Sequence, residues 1–169
     1  CEGLFGEALR LDPSLRRRLQ LVTKCGIRLP GGLPPNPTVK HYDSSAAHVR
    51  ASVERSLREL ATDHLDLLLI HRPDALMDPE ALAATFDALQ REGKVRAFGV
   101  SNHRPSQLAL LHGRHRLFTN QIEFSPLQMQ ALDDGTLDQC TELGLQPMIW
   151  SPLARGRLFT EATQEPVRR

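Results

Sequence analysis

Five apolar, strand-like segments of this chain each end at side chains that could take part in chemistry. The residues at these ends are Lys24 after LQLVT, His71 after LDLLLI, Ser101 and Asn102 after VRAFGV, Asn120 and Gln121 after LFT, and Trp150 and Ser151 after PMI. A lysine can form a Schiff base or hold down the pKa of a nearby hydroxyl. A histidine can donate a hydrogen bond to a developing oxyanion, and side-chain amides both donate and accept. This series is the strongest functional signal in the sequence.

Each of these residues also has an ordinary structural explanation. Lys24 alone fits a solvated strand end, and His71 alone fits a core histidine bonded to a backbone carbonyl. Ser101 and Asn102 are residue types that favour the start of a helix. Gln121 could face either side of a sheet, and Trp150 could belong to the core. Five such coincidences at one sheet edge are not expected, so the combination favours a functional site.

The segments between these strand ends have helical periodicity. Helices are predicted for Glu2 to Leu11, from Ser44 and Ser45 through Leu60, from Asp78 to Gly93, from Pro105 through Leu111, and from Leu137 to Gly144. Strands joined by helices form a parallel sheet whose carboxyl ends share one edge, where ligands bind in barrels and in doubly wound sheets. No GxGxxG follows a strand, which favours a barrel. The segment from Gly26 to Asp43 is rich in glycine and proline, and we expect a long loop there.

Composition excludes several functional classes. The chain has 169 residues and a net charge of +1, which fits one globular domain and does not favour binding to nucleic acid or to anionic membranes. We expect the basic run Arg16 to Arg18 to be a solvated face. The three cysteines have no metal-ligand spacing, and the run Leu65 to Ile70 is too short to span a bilayer. We therefore expect a cytoplasmic protein without a metal, whose oligomeric state the sequence does not indicate.

Five segments, in this order, resemble the aldo-keto reductases, which are NADP-dependent oxidoreductases with a (β/α)8 barrel. They are VTKCG, LDLLLIHRPD, GKVRAFGVSN, NQIEFSPL and WSPLARGRL, and together they cover nearly the whole chain. The resemblance implies an α/β fold: an incomplete (β/α)8 TIM barrel with about five parallel strands and intervening helices. Residues 1–169 would then be a single partial barrel that corresponds to strands three to seven of the family.

The resemblance also implies a reaction and two catalytic residues. Hydride would pass between C4 of the nicotinamide of NADPH and the carbonyl carbon of a small aldehyde or ketone. Lys24 matches the lysine that lies beside the family's catalytic tyrosine, where its charge lowers the pKa of the phenol. His71 matches the histidine that hydrogen-bonds the substrate carbonyl.

The remaining matches concern the cofactor. The residues that resemble the family's carboxamide-binding set are Ser101, Asn102 and Gln121, the aromatic that stacks on the nicotinamide is Trp150, and the loop along the pyrophosphate contains Ser151, Leu153 and Arg155. Ala154 stands where the family pattern SPLGxG has glycine. The resemblance implies no metal.

Several parts of the family pattern are absent. The family's aspartate and tyrosine would precede Cys1, and the eighth strand with the segment that binds the 2′-phosphate would follow Arg169. Tyr42 is the one tyrosine and lies in the long loop, so it receives no catalytic role. We expect this segment to be inactive alone and to expose two unpaired sheet edges, which would make it poorly soluble or lead it to pair with another protein.

Two other functions remain open. A non-catalytic regulatory or scaffold protein could keep the nicotinamide-binding residues and lack turnover. A Schiff-base lyase on a TIM barrel would use Lys24 as its nucleophile. The Ser-Asn pair and Gln121 count against the lyase.

Overall fold

The computed structural model describes residues 1–31 and 38–160. Two short 3-10 helices, Pro13–Arg17 and Ala154–Phe159, accompany the main elements. In chain order these are α1 (Glu2–Leu11), β1 (Val22–Cys25), β2 (Ile27–Arg28), β3 (His41–Tyr42), α2 (Ala46–Leu60), β4 (Leu65–Ile70), α3 (Pro79–Arg91), β5 (Val95–Ser101), α4 (Pro105–His112), β6 (Asn120–Glu123), α5 (Gln130–Asp133), α6 (Thr136–Glu142) and β7 (Met148–Trp150).

The main sheet has five strands in the order β1, β4, β5, β6, β7, and every neighbouring pair is parallel. Helices connect these strands, so the sheet is a curled half-barrel, as the sequence predicted. Its edges are β1 and β7, where Val22 and Ile149 are 41% and 40% exposed. These edges can accept further strands.

The core lies between the sheet and its covering helices. The predicted apolar stripe of α2, which comprises Val49, Val53, Leu57 and Leu60, is buried. In the next unit, the ring of Phe86 in α3 stacks on Phe98 in β5, with the ring centroids 4.0 Å apart. This packing fixes the positions from which the strand ends project.

Helices α2 and α3 begin where the sequence predicts, whereas the short helix α5 was not predicted. The Ser45 hydroxyl accepts a hydrogen bond from the His48 amide at 3.3 Å, and the Asp78 carboxylate accepts one from the Ala81 amide at 3.0 Å. Both are N-cap bonds that satisfy an amide with no partner inside its own helix. Helix α3 begins at Pro79, which tolerates the first helical position because it has no N–H to satisfy.

Two glycines allow close backbone contacts. A Cβ at Gly6 would lie 1.8 Å from the Glu59 carbonyl oxygen, because α1 packs directly on the backbone of α2. A Cβ at Gly99 would lie 2.8 Å from the Thr119 carbonyl oxygen and 2.7 Å from a methyl of Leu69. Gly99 therefore keeps β5 close to its neighbours two residues before Ser101.

The prediction of a loop without regular structure from Gly26 to Asp43 was wrong in part. Ile27 pairs with Tyr42 and Arg28 with His41 in a short antiparallel ladder. The glycine and prolines at positions 32–37 lie outside the described residues. A ladder of two residues on each side was missed because it is too short to produce a periodic pattern.

The prediction that Arg16 to Arg18 form a solvated face was wrong for Arg16. Its guanidinium forms an ion pair with Asp66 at 3.0 Å, and its side chain is only 18% exposed. Arg96 reaches the same carboxylate at 2.9 Å. Arg16 thus ties the segment before β1 to the start of β4. Separately, no helix among the described residues is both long enough and apolar enough to cross a membrane.

Candidate functional site

The parallel sheet brings the predicted site residues to one edge. The prediction that Asn120 and Gln121 follow a strand was wrong, because they begin β6. His71 directly follows β4, and its backbone amide donates to the carbonyl of Cys25, the last residue of β1, at 2.8 Å. Cys25 is the residue after Lys24, so His71 and Lys24 lie on neighbouring strands at the same edge. On the next pair of strands, Ser101 of β5 lies level with Gln121 of β6. The register therefore places these four residues along the same edge.

Hydrogen bonds link side chains at the ends of β5 and β7 to the backbone of β6. The Trp150 indole N–H donates to Asn102 Oδ1 at 3.1 Å, and Asn102 Nδ2 donates to Ser101 Oγ at 2.7 Å. The Ser101 hydroxyl donates to the Gln121 carbonyl at 3.0 Å, and the Asn102 amide donates to the same carbonyl at 2.8 Å. We call these four residues, Ser101, Asn102, Gln121 and Trp150, the amide cluster.

Donors and acceptors of the amide cluster remain available to a ligand. Within residues 1–31 and 38–160, the half-buried side-chain amide of Gln121 has no hydrogen-bond partner. Asn102 uses one of its two Nδ2 hydrogens on Ser101, which leaves the second unassigned. A carboxamide, which presents both a carbonyl oxygen and an NH2 group, matches such a pair of amides.

The ends of β1 and β4 differ, because their side chains are not bonded to each other. Among the described residues, neither the Lys24 ammonium nor the His71 imidazole has a hydrogen bond or an ion pair. Burial lowers the pKa of His71, and the charges of Lys24, Arg72 and Lys40 lower it further. The imidazole is therefore neutral at neutral pH and can donate one hydrogen bond to a substrate oxygen.

The backbone adopts an unfavourable conformation at several positions of this edge. Of the five described non-glycine residues with positive φ, four are here: Asn102 at 57°, Ser151 at 53°, Ala154 at 50° and Arg155 at 58°. Such residues cost about 1–3 kcal/mol each and concentrate at functional sites. Ala154 occupies the position where glycine was expected, and its positive φ explains why glycine would suit it.

Two guanidinium groups lie near the indole of Trp150, one from the loop after β7 and one from the segment after β4. The guanidinium of Arg155 lies 5.5 Å from the ring centroid, and that of Arg72 lies 5.8 Å from it. Ser151 is half-buried and Leu153 is 55% exposed in the same loop. The Arg155 guanidinium and the Trp150 ring therefore lie on the side of the edge that holds the amide cluster.

A cavity of about 240 Å³ opens beside the amide cluster, lined in part by Asn102, Arg72 and Glu123. It provides room for a polar group beside Asn102. Among the described residues, no group of three or more His, Cys, Asp or Glu side chains is placed to hold a metal ion. The donors at this edge suit an organic ligand with amide, carbonyl and phosphate groups.

The sequence reasoning missed the support that His103 gives to this edge. Its Nδ1 donates to the Ser101 carbonyl at 3.1 Å, and Asn120 Nδ2 donates to the His103 carbonyl at 2.8 Å. Burial lowers the pKa of His103 to about 4, so this imidazole is neutral. The available signal was a histidine directly after the Ser-Asn pair. Its hydrogen bonds could not be read from the sequence, because one partner is a backbone carbonyl and the other is 17 residues away.

Comparison with known proteins agrees with the fold. The model of the Aldo/keto reductase family matches residues 1–168. An uncharacterized oxidoreductase, YcsN of Bacillus subtilis (strain 168), is 52% identical over 98% of this chain and 56% of its own length. A 6-dehydroglucose reductase of Agrobacterium fabrum is 48% identical over 96% of this chain and 55% of its own length.

A solved structure supports the half-barrel. The glycerol dehydrogenase AKR11B4 from Gluconobacter oxydans superimposes with a TM-score of 0.83 and 28% identity, over 99% of this chain and 50% of that one. The prediction of an incomplete (β/α)8 barrel is therefore confirmed. The chain spans about half the length of the curated relatives that it matches.

Proposed function

Since this chain belongs to the aldo/keto reductase family, we propose that the whole protein transfers hydride between the nicotinamide of NADPH and an aldehyde or ketone. The observation that carries this proposal is the amide cluster, which has an unbonded Gln121 side-chain amide and a second Asn102 N–H, and in which the Trp150 indole is bonded to Asn102. Close to it in the sheet lie a neutral histidine and a lysine. A nicotinamide carboxamide and a carbonyl substrate need these two groups of residues side by side.

The residues on the β5 to β7 side would hold the cofactor. A bound nicotinamide would supply the hydride. Gln121 and Asn102 would donate to and accept from its carboxamide, and Trp150 would cover the face of its ring. The pyrophosphate would lie along the loop that contains Ser151 and Leu153, where the Arg155 charge attracts phosphate oxygens.

The residues on the β1 and β4 side would act on the substrate oxygen, which gains negative charge during reduction and must receive a proton. His71, neutral because its pKa is lowered, would donate a hydrogen bond that orients the carbonyl. The Lys24 ammonium would stabilise the anionic form of a neighbouring proton donor and bring its pKa closer to neutral. On this proposal the donor is a phenol outside residues 1–169, and the isolated chain turns over no substrate.

The choice of NADPH over NADH rests on kinship, as does the expected cytoplasmic location. We propose a small carbonyl compound as substrate and no nucleic acid, membrane or metal as partner. The relative named 6-dehydroglucose reductase makes 6-dehydroglucose the first substrate to test.

The test is NADPH consumption by the whole protein with a panel of aldehydes and ketones. We expect carbonyl-dependent oxidation of NADPH and slower oxidation of NADH. Binding of NADPH without any turnover would instead favour the non-catalytic regulatory protein. Trapping of a carbonyl substrate on Lys24 by borohydride would favour the Schiff-base lyase and contradict hydride transfer.

A further inference from the structure

Trp150 contributes a hydrogen-bond donor to the amide cluster in addition to its ring. An indole N–H can only donate, and its acceptor is Asn102 Oδ1 at 3.1 Å. The oxygen and nitrogen of an asparagine amide are usually assigned from their surroundings. Here the assignment follows from chemistry, because the atom facing the indole must be the oxygen.

At its other end, this series of hydrogen bonds reaches a group that can only accept. The backbone carbonyl of Gln121 accepts the Ser101 hydroxyl hydrogen at 3.0 Å. Ser101 Oγ is therefore left as an acceptor, and Asn102 Nδ2 donates to it at 2.7 Å. With a pure donor at one end and a pure acceptor at the other, every hydrogen between Trp150 and Gln121 is assigned.

The backbone of Asn102 is fixed as well. Its φ of 57° is unfavourable for a non-glycine residue, and its amide is bonded to the Gln121 carbonyl at 2.8 Å. The backbone therefore leaves only the side-chain torsions of Asn102 to be fixed. The bond from the Trp150 indole and the bond to Ser101 Oγ hold those torsions from both sides of the amide.

We propose that Trp150 is a positioning residue for Asn102: its indole N–H sets the side-chain amide so that the second Nδ2 hydrogen is the donor for the oxygen of a ligand carboxamide. This inference rests on the proposed nicotinamide function. It gives the indole nitrogen a role that is separate from ring stacking. A phenylalanine at this position would keep a stacking face and lose the orientation of the amide.

The first test examines the hydrogen bond without any ligand. Residues 1–169 contain one tryptophan, and the signal that disappears in Trp150→Phe identifies its indole N–H in the ¹H–¹⁵N spectrum of the labelled whole protein. We expect Asn102→Ala to shift this signal and to speed its exchange with water about twofold to tenfold, as the loss of one hydrogen bond predicts. Gln20→Ala, an exposed amide before β1, is the control and should leave the signal unchanged. An indole signal that does not respond to Asn102→Ala would overturn the proposal.

The second test separates the indole nitrogen from the ring. In the whole protein, Trp150 alone is replaced by β-(3-benzothienyl)alanine through site-specific incorporation; sulfur then replaces the N–H and the bicyclic ring keeps its size. We expect the Kd for NADPH, measured by calorimetry on the whole protein, to rise about threefold to tenfold. In the Asn102→Ala background the same replacement should change Kd less than twofold, because the two groups act through one bond.

The outcomes distinguish this proposal from the function on which it rests. If the unsubstituted protein binds no NADPH, the proposed function is wrong, while the exchange test still decides whether the hydrogen bond exists. If NADPH binds and the sulfur analogue binds it equally well, the positioning role alone is wrong. Equal losses from the replacement in both backgrounds would likewise contradict it, because they would place the effect in the ring.

Discussion

The two sides of the candidate site are built differently. At the ends of β5, β6 and β7, Trp150, Asn102 and Ser101 are joined by hydrogen bonds that end on the Gln121 backbone. At the ends of β1 and β4, Lys24 and His71 have no such partner among the described residues. The difference suits the two proposed tasks: amides that recognise a carboxamide must be fixed in advance, whereas groups that act on a substrate oxygen must keep their donors free.

The largest expected effect separates the two sides by function. In the whole protein, Lys24→Met and His71→Ala should each lower kcat/KM for carbonyl reduction about 100-fold or more, because proton transfer by a positioned group contributes about 10²–10⁴-fold. The Kd for NADPH should change less than threefold. Lys40→Met removes an exposed charge that also acts on His71, and this control should keep the rate within threefold. Full activity of either Lys24→Met or His71→Ala would contradict the roles proposed for that side.

The second effect concerns the stability at low pH of the side that contains the amide cluster. The folded pKa of His103 is about 4, below its ordinary value of 6.5, because the ring is buried. The unfolded chain therefore binds this proton first, so the stabilisation is present above about pH 6.5 and is lost as the pH falls toward 4. By pH 4 the loss amounts to about 3 kcal/mol in the free energy of unfolding.

Urea denaturation between pH 7 and pH 4 measures this loss. His103→Phe should flatten the pH dependence, whereas His41→Phe, on an exposed residue, should leave it as it is. If His103→Phe has the same pH dependence as the unsubstituted protein, His103 does not support the amide cluster in the neutral form described.

The third effect concerns the packing of α1 on α2, the helices beside the strands that carry Lys24 and His71. Gly6→Ala should lower the free energy of unfolding by about 1–3 kcal/mol, because its methyl would lie 1.8 Å from the Glu59 carbonyl oxygen. Gly3→Ala is a matched control in the same helix, with no atom within 4 Å of its Cβ. It should raise stability by up to about 1 kcal/mol, as alanine favours helix. Equal denaturation midpoints for the two variants would show that α1 is not packed on α2 as described.

The smallest effect concerns the loop after β7. Arg155→Gln should raise the Kd for NADPH about threefold to tenfold, since the Arg155 side chain is 69% exposed and water screens its charge. Arg91→Gln, at the end of α3, is the control and should leave Kd unchanged. Added salt should shrink the difference between the two variants. Identical affinities at low salt would remove Arg155 from the cofactor-binding set.

The main helices and the strands of the large sheet were predictable because apolar periodicity and capping residues are local signals. Ser45 and Asp78 cap the helices that they were expected to start, and the end of β4 lies one residue before His71. The partners of polar side chains were not predictable in the same way. Arg16 bonds to Asp66 across 50 positions of the chain, and nothing in a run of three arginines indicates which one is buried.

The candidate site was predictable as a set of residues and not as a network. Each member lies in a strand or directly after one, and the register of the parallel sheet brings them to one edge. The bond from Trp150 to Asn102 depends on the curvature of the sheet between β5 and β7, which the sequence does not express. The role of Ala154 was visible only as a departure from a glycine pattern, and its positive φ of 50° gives the reason.

The emission of Trp150 tests the central claim most directly, namely that the ends of β5, β6 and β7 bind a nicotinamide. Trp150 is the one tryptophan of residues 1–169 and lies in the amide cluster. With every tryptophan outside residues 1–169 replaced by phenylalanine, the fluorescence of the whole protein reports on this site. We expect NADPH to quench the emission and to take up its energy through the dihydronicotinamide ring, while adenosine 2′,5′-bisphosphate, which lacks that ring, produces no energy transfer. Emission that is unchanged by saturating NADPH, or that responds equally to both compounds, would contradict the claim.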